Sequence, residues 1–339
     1  MAAPPHERVN IRQVATRAGV SAMTVSRVLN GSAKVLPDTR RRVLDAVDEL
    51  NYRPSGVARA LATQRTRRIG VLVDSVAEHG PTSTLRGIEL AAREAGYTVT
   101  SASIRDDAQQ SPEASVVHLT DQGVDALCVV APRSSSVSAI RRIDVGLPVL
   151  VVKAEPDPVF LTVSVDQRTG THLAVDHLAG LGHRDILHLA GPLDWLDARS
   201  RERAVRARAQ EWGMRERPIV VGDWTADFGY EFARGITRLP DYTAILAAND
   251  EMALGVIHGL VDNGIRVPHD VSVVGFDDLP TSRHFLPPLT TVRQDFHALG
   301  LAAMEVLRAA IEGRPIPQRT MIPAELVVRE SSAPPRDRS

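Results

Sequence analysis

Between Asn10 and Asn30 the chain has room for two short helices and almost nothing to join them. Ile11, Val14, Ala15 and Ala18 recur at helical spacing, with Asn10 ahead of them as an N-cap. Gly19 follows the last periodic residue, where a left-handed C-cap suits a residue without a Cβ. Ser21 then caps a second helix with Val25, Val28 and Leu29 as its inward stripe. Ala22, Met23, Ser26, Arg27 and Asn30 share the opposite face. Short and polar residues on the first turns of such a helix let it enter a major groove and touch base edges. Thr24 and Ser26 offer hydroxyls suited to phosphates or bases. Pro37 opens a third helix, with Val43, Leu44, Val47 and Leu50 as its core face and Arg40, Arg41 and Arg42 near its start. The pattern alone also fits a plain three-helix bundle with solvated charges.

Charge weighs against the plain bundle. Residues 1–68 hold 13 Lys and Arg against 5 Asp and Glu, a charge of +8, whereas the whole chain is −1 and the remainder therefore −9. A basic head on an acidic body is the footprint of a nucleic-acid module joined to a ligand or oligomerisation module.

At 339 residues the chain can hold two or three domains with real cores. No run is long and apolar enough to span a membrane, and the polar N-terminus lacks the apolar stretch of a secretion signal. The expected location is the cytoplasm, on the nucleoid. The single cysteine, Cys128, excludes an internal disulfide and reads as a small buried hydrophobe in Ala-Leu-Cys-Val-Val. No metal site and no cofactor are expected. The tail from Ser331, with Pro334 and Pro335 among charges, is expected to be disordered over 332–339.

After residue 66 the pattern becomes strand–helix alternation. Ile69–Val73, Thr98–Ala102, Ala126–Val130 and Val149–Val152 are strand-type runs, with helical stretches near 82–95, 111–122 and 134–143. Leu161–Val165 opens a second series that continues with Asp185–Leu189, Ile219–Val221, Ala244–Ala247 and Val271–Val274. Such alternation predicts parallel sheets with right-handed crossovers, here in two similar α/β lobes. Ligands in such sheets bind at the carboxyl ends of the strands, so facing lobes make a cleft. Nothing marks that cleft as catalytic. There is no Gly-x-Gly-x-x-Gly after a strand and no Gly-x-Ser-x-Gly, and the adjacent Asp277 and Asp278 have no evident base or metal partner.

Ile11-Arg-Gln-Val-Ala-x-x-Ala-Gly-Val-Ser-x-x-Thr-Val-Ser-Arg-Val-Leu-Asn30 resembles the signature of the lac repressor family of bacterial transcription regulators. Leu178–His183, Leu189–Leu193, Ala248–Gly255, Val273–Asp278 and Pro287–Phe296 resemble the family's later landmarks, so the likeness covers about residues 9–330. The portion from Asn249 to Phe296 is particularly similar to the family's namesake. The resemblance implies an all-α helix-turn-helix head and an α/β, periplasmic-binding-protein-like core of two Rossmann-like lobes crossed three times by the chain. The implied boundaries are a head over 9–54, a hinge helix and linker over 55–66, and a core over 67–331. Within the core, lobe 1 takes about 67–161 and 293–317, and lobe 2 about 162–292 and 318–331. Ser55–Ala62 is too short for a helix stable alone. It is expected to fold when a partner chain and DNA are present. Leu61 then resembles the family's minor-groove wedge, and Arg59 can hold phosphates beside it. A plain linker is the other reading, although Gly, Ser or Pro would then be expected.

The effector is expected to be a sugar. Asn249 and Asp277 stand at strand ends, and an amide and a carboxylate suit vicinal hydroxyls. Arg201 resembles the family's effector-binding arginine, although on its own it could be a helix-surface charge. Trp195 and Trp224, two of three tryptophans, offer flat faces to a sugar ring, and Trp224 could equally fill core space. Asp74, Gln294 and Phe296 are weaker candidates. Lys153 closes a strand where the family's namesake has an aspartate, which favours a different hydroxyl pattern or an acidic ligand. Met23, beside Ala22, offers only apolar contact, such as to a thymine methyl. His79 resembles a position at the family's dimer interface. A chain ending near residue 339 lacks the extra heptad helix of a tetramer, so a homodimer on a pseudo-palindromic operator is expected. The whole reads as a repressor of carbohydrate-utilisation genes released by a sugar. The alternatives are a corepressor-dependent regulator of another metabolite and a sugar-binding protein without regulation.

Overall fold

A computed structural model of the chain describes residues 9–29, 34–52, 65–74, 78–104, 111–130 and 133–336. The chain divides into two compact units, Met1–Thr66 and Arg67–Ser339.

The first unit contains α1 (Ile11–Ala18), α2 (Ala22–Leu29) and α3 (Pro37–Glu49). Asn10 and Gln13 form a reciprocal capping box, the Asn10 side chain accepting from Arg12 and Gln13 and Gln13 accepting from the Asn10 amide. Gly19 takes φ 64° and donates back to α1, so the left-handed cap is where the sequence placed it. Ser21 Oγ accepts the Thr24 amide at 3.1 Å and starts α2. Val14, Ala15, Ala18, Val25, Val28, Val43 and Ala46 make the core. Leu44 departs from expectation and is 44% exposed. Val43, Ala46, Val47 and Leu50 follow the i, i+3, i+4, i+7 stripe, and Leu44 falls about 100° off it. Asn30, Arg59, Leu61 and the hinge segment lie outside the described residues.

The second unit holds two six-stranded sheets. Its elements are β1 (Arg68–Asp74), α4 (His79–Glu94), β2 (Thr98–Ile104), α5 (Pro112–Asp121), β3 (Ala126–Val130), α6 (Ser134–Ile140), β4 (Val149–Val152) and β5 (Leu161–Val165), followed by α7 (Gln167–Gly180). Then come β6 (Ile186–Ala190), α8 (Leu196–Glu211), β7 (Val220–Val221), α9 (Ala226–Arg234), β8 (Ala244–Ala247), α10 (Asp250–Asp262) and β9 (Ser272–Asp277). Last are β10 (Thr290–Arg293), α11 (Phe296–Glu312), β11 (Arg319–Ile322) and β12 (Glu325–Val327). One sheet runs β11-β5-β4-β3-β1-β2 and the other β12-β10-β9-β8-β6-β7. The β10–β12 pair is antiparallel; the other strand pairs are parallel. Among the described residues the chain passes between sheets after β5, after β10 and after β11.

Two expected boundaries are corrected. Leu161–Val165 does not open the second lobe: β5 pairs with β4 and β11 in the first sheet, and β11 joins that sheet too. Parallel neighbours ordinarily need a crossover helix. Here Asp157 replaces it, accepting from Lys153, Arg141 and the amides of Val159 and Phe160, so a short pinned loop joins β4 to β5. The tail is ordered through Arg336. Ser331 is fully buried, donating to Val273 O at 2.6 Å and accepting the Thr290 amide at 2.8 Å. Ala333 O accepts from Ser272 Oγ, and Arg336 donates to the carbonyls of Asp270 and Pro240. Polar composition suggested a solvated tail, but its partners are backbone groups that composition does not reveal.

Two glycines set the distance between α4 and α11. A Cβ on Gly87 would lie 2.3 Å from Phe296 O, and one on Gly300 would lie 2.2 Å from the Gly87 carbonyl carbon. The helices therefore meet backbone to backbone, which brings His79 and Phe296 together. Among the described residues no helix is long and apolar enough to cross a membrane, and no group of three or more His, Cys, Asp and Glu could hold a metal ion.

Candidate functional site

A cleft between the two sheets encloses about 650 Å³ free of protein atoms, part of it open to solvent. That is the size range of a small-molecule site. Its walls include seven of the anticipated effector residues, Trp195, Arg201, Trp224, Asn249, Asp277, Gln294 and Phe296, and also His79, which was expected at a dimer interface.

Arg201, on α8, is the central cation. It is buried, and its guanidinium lies 3.9 Å above the Phe276 ring. Nε donates to Gln167 Oε1 at 2.8 Å, Nη1 donates to Ala248 O, and Nη2 stands 4.0 Å from Asp277 Oδ1. Burial pulls its pKa down while Asp277, Asp197 and Asp250 oppose that. Asp277 ends β9 with φ 117°, a strained conformation for a residue with a side chain. Burial raises its carboxyl to about 6, against the opposing pull of Arg201 and the Gln294 hydrogen bond. Asn249 caps α10: Oδ1 accepts the Met252 amide at 2.9 Å and Nδ2 donates to Trp224 O at 2.8 Å. Trp224, at φ 75°, lies against Gly191, where a Cβ would come within 2.2 Å of the indole. Its ring meets Trp195 edge to face at 5.8 Å, and its Nε1 has no hydrogen-bond partner among the described residues. An indole donor left without a partner in the cleft wall suits a ligand hydroxyl.

The sequence reading missed Gln167 and Asp197. Gln167 Nε2 donates to Gln294 Oε1 at 2.8 Å, and Gln294 Nε2 donates to Asp277 Oδ1 at 2.6 Å. A chain of amides thus links Arg201 to Asp277. Asp197 is half-buried, accepts the Ala154 amide at 2.9 Å, and has its pKa raised by desolvation. The signal for Gln167 was its position just past a strand end.

Asp74 and Lys153 are not in the cleft wall. Asp74 is buried, and its Oδ2 accepts the Arg133 amide at 2.7 Å and Ser136 Oγ at 3.0 Å. The Lys153 ammonium donates to Asp157 Oδ2 at 2.6 Å, so its charge is neutralised in the loop to β5. His79 lies at the cleft mouth, edge-on to Phe296 at 5.6 Å and with Nε2 3.1 Å from Ser83 Oγ. Burial lowers its pKa, and Glu251 from α10 opposes that across the mouth. On the other rim the lobes meet through a bridge between Arg133 and Trp195.

In the first unit, Met23 is 65% exposed on α2 and Arg27 is exposed beside it. Ala22, Thr24 and Ser26 are half-buried, and the Thr24 hydroxyl lies 2.9 Å from Ser21 Oγ. α2 therefore offers one apolar and one cationic side chain to a partner, over shorter groups.

Residues 10–55 match the model of bacterial regulatory proteins of the lacI family, and residues 175–332 match the periplasmic binding protein-like domain. The chain is 34% identical to the lactose operon repressor of Escherichia coli (strain K12), over 96% of this chain and 91% of that protein. Its fold is similar to the lac repressor dimer bound to operator and the anti-inducer ONPF, with TM-score 0.83 and 33% identity over 96% of this chain and 100% of the other. It is also similar to the transcriptional regulator CelR–cellobiose complex, with TM-score 0.72 and 31% identity over the same shares.

Proposed function

The chain belongs to the lacI family of bacterial regulatory proteins and is a DNA-binding transcription regulator, and from that premise we propose that it is a repressor of carbohydrate-utilisation genes whose cleft binds a sugar that releases it from its operator. The observation that carries the sugar reading is the pairing of Arg201 and Asp277 at 4.0 Å in a cleft wall that also holds Trp195 and Trp224. Charged, forked hydrogen-bonding groups against aromatic faces match a ring with hydroxyls on its edge and C–H groups on its face. Asn249, Gln294 and Phe296 complete that wall. Similarity to a regulator solved with cellobiose supports the same class of ligand.

Two copies pair and present two heads to a pseudo-palindromic duplex, with α2 of each in a major groove. Ala22, Met23, Thr24, Ser26, Arg27 and Asn30 face the bases and phosphates. Leu61 wedges the minor groove and Arg59 holds phosphate beside it, once the hinge has folded. The ligand acts only through a difference in affinity between the DNA-competent state and the other. His79, at the cleft mouth, contributes to that difference.

The test is a gel-shift with a duplex carrying the palindrome near the chain's own gene, followed by a panel of sugars, sugar acids and sugar phosphates. Release by a neutral sugar supports the proposal. No specific shift at moderate salt refutes the repressor reading. A ligand that tightens the complex reverses the sign of the switch.

A further inference from the structure

We propose that a second cavity, on the face of α8 next to the one that carries Arg201, binds a small molecule with an apolar body and a hydrogen-bond-donating head, either an alcohol or a primary ammonium ion. The cavity is lined by Ile186, His188, Glu202, Val205, Met214 and Ile219, among others, and encloses about 1030 Å³ free of protein atoms, part of it open to solvent. None of these residues lines the effector cleft.

The assignment of the head rests on His188. Ile186 and His188 alternate along β6, so both face α8. His188 is 5% exposed, and its Nδ1 lies 2.9 Å from the Leu246 carbonyl on the neighbouring strand. A carbonyl only accepts, so the proton sits on Nδ1 and Nε2 presents a lone pair. Nε2 has no hydrogen-bond partner among the described residues. Burial pushes the imidazole pKa down to about 4, so the ring stays neutral and accepting near pH 7. Glu202, also buried, adds a second acceptor. The arginines that also line the cavity do not offer an anion site: Arg206 is bound to Glu202, and Arg215 and Arg217 are bound to Asp185 and Asp241. Beside these acceptors the wall carries Ile186, Val205, Met214 and Ile219, so the matching ligand is a donor on an apolar body.

Occupancy would be felt at the cleft. Glu202 follows Arg201 directly, about 100° further around the helix, and the charges of both reach His188. The proposal stands whatever the cleft binds.

The test uses the full chain with ¹³C-methyl methionine and ¹⁵N-histidine, titrated at pH 7.5 with benzyl alcohol and, separately, with benzylammonium chloride. The expected result is a saturable shift of the Met214 methyl and the His188 Nε2 resonance with at least one probe, with a Kd on the order of 1 mM for so small a ligand. Which probe binds identifies the head. His188→Phe, which keeps the volume and removes the acceptor, should weaken the Met214 response at least tenfold. Ala209→Phe, which fills the cavity from α8, should abolish it, so either variant suffices if the other fails to fold. No saturable shift with either probe overturns the proposal. So does a response confined to the Trp195 and Trp224 ring protons, or one that both variants leave unchanged.

Discussion

Asp277→Asn should make this protein more stable while weakening its grip on the effector. Asp277 is 7% exposed, and its carboxyl is raised from 3.8 to about 6, chiefly by burial. A carboxyl with a raised folded-state pKa holds its proton more tightly when folded than when unfolded. The native state therefore loses stability as pH rises from about 4 to 6, and the full loss persists above that. The shift of roughly two units corresponds to about 3 kcal/mol at pH 8 and about half that at pH 5. Asparagine is close to the protonated form in shape. It keeps an oxygen for Gln294 Nε2, now at 2.6 Å from Asp277 Oδ1, and carries no charge to desolvate. Urea unfolding of both proteins at pH 5 and pH 8 reads the difference directly. The variant should gain about 3 kcal/mol at pH 8, and the gain should shrink by about half at pH 5. Calorimetric titration with the sugar found by operator release should show affinity falling at least tenfold. Stability spent on a binding group is a recurrent trade in functional sites. A variant no more stable than the parent at pH 8, or a gain that does not shrink at pH 5, would refute the reasoning.

Three further outcomes are expected. Arg201→Lys keeps the charge but loses the fork that engages Gln167 and Ala248; effector affinity should fall by 2 kcal/mol or more, on the order of 30-fold, and an unchanged titration would remove Arg201 from the site. Gly191→Ala places a methyl within 2.2 Å of the Trp224 ring; overpacking of about 1–3 kcal/mol should displace the indole, seen as a shift in tryptophan emission and weaker effector binding, with ligand-free operator affinity within about twofold. Ser331→Ala strands the Val273 carbonyl and the Thr290 amide; the loss should be about 1–3 kcal/mol by thermal unfolding, and a loss below 0.5 kcal/mol would show that the tail contributes little.

Strand ends were the legible part of the site, because parallel sheets put ligands at their carboxyl edges. That rule located Asn249 after β8 and Asp277 at the end of β9. The same rule selected Asp74 and Lys153, and for these the structure shows other employment. A strand end gives a side chain an address and does not say which neighbour has already engaged it. Asp157 engages Lys153 from four residues on, and Ser136 reaches Asp74 from 62 residues away. Gln167 was hidden for a related reason. Leu161–Val165 reads as the start of the second series, since no helix separates it from β4, so the residue just beyond it did not look like a crossing point. The helix-turn-helix head was more legible because its information is local: a capping box three residues wide and one left-handed glycine.

The amide chain beneath the cleft suggests how a ligand could act beyond its own contacts. Gln167 opens α7 just after the chain first leaves the first sheet, and Gln294 stands just before α11, where the chain returns. Their side chains are bonded to each other at 2.8 Å, with Arg201 on one end and Asp277 on the other. Each amide has one oxygen and two N–H groups, so a ligand hydroxyl that takes Asp277 Oδ1 releases a Gln294 donor, and one that takes Arg201 Nε releases Gln167 Oε1. Either change falls on a segment that joins the lobes. A buried amide left without a partner costs about 1–3 kcal/mol. That is enough to shift a lobe equilibrium roughly 5- to 150-fold, within the range of known allosteric couplings. The ligand therefore need not strain the fold to switch it. It needs only to satisfy these two amides better in one arrangement of the lobes than in the other.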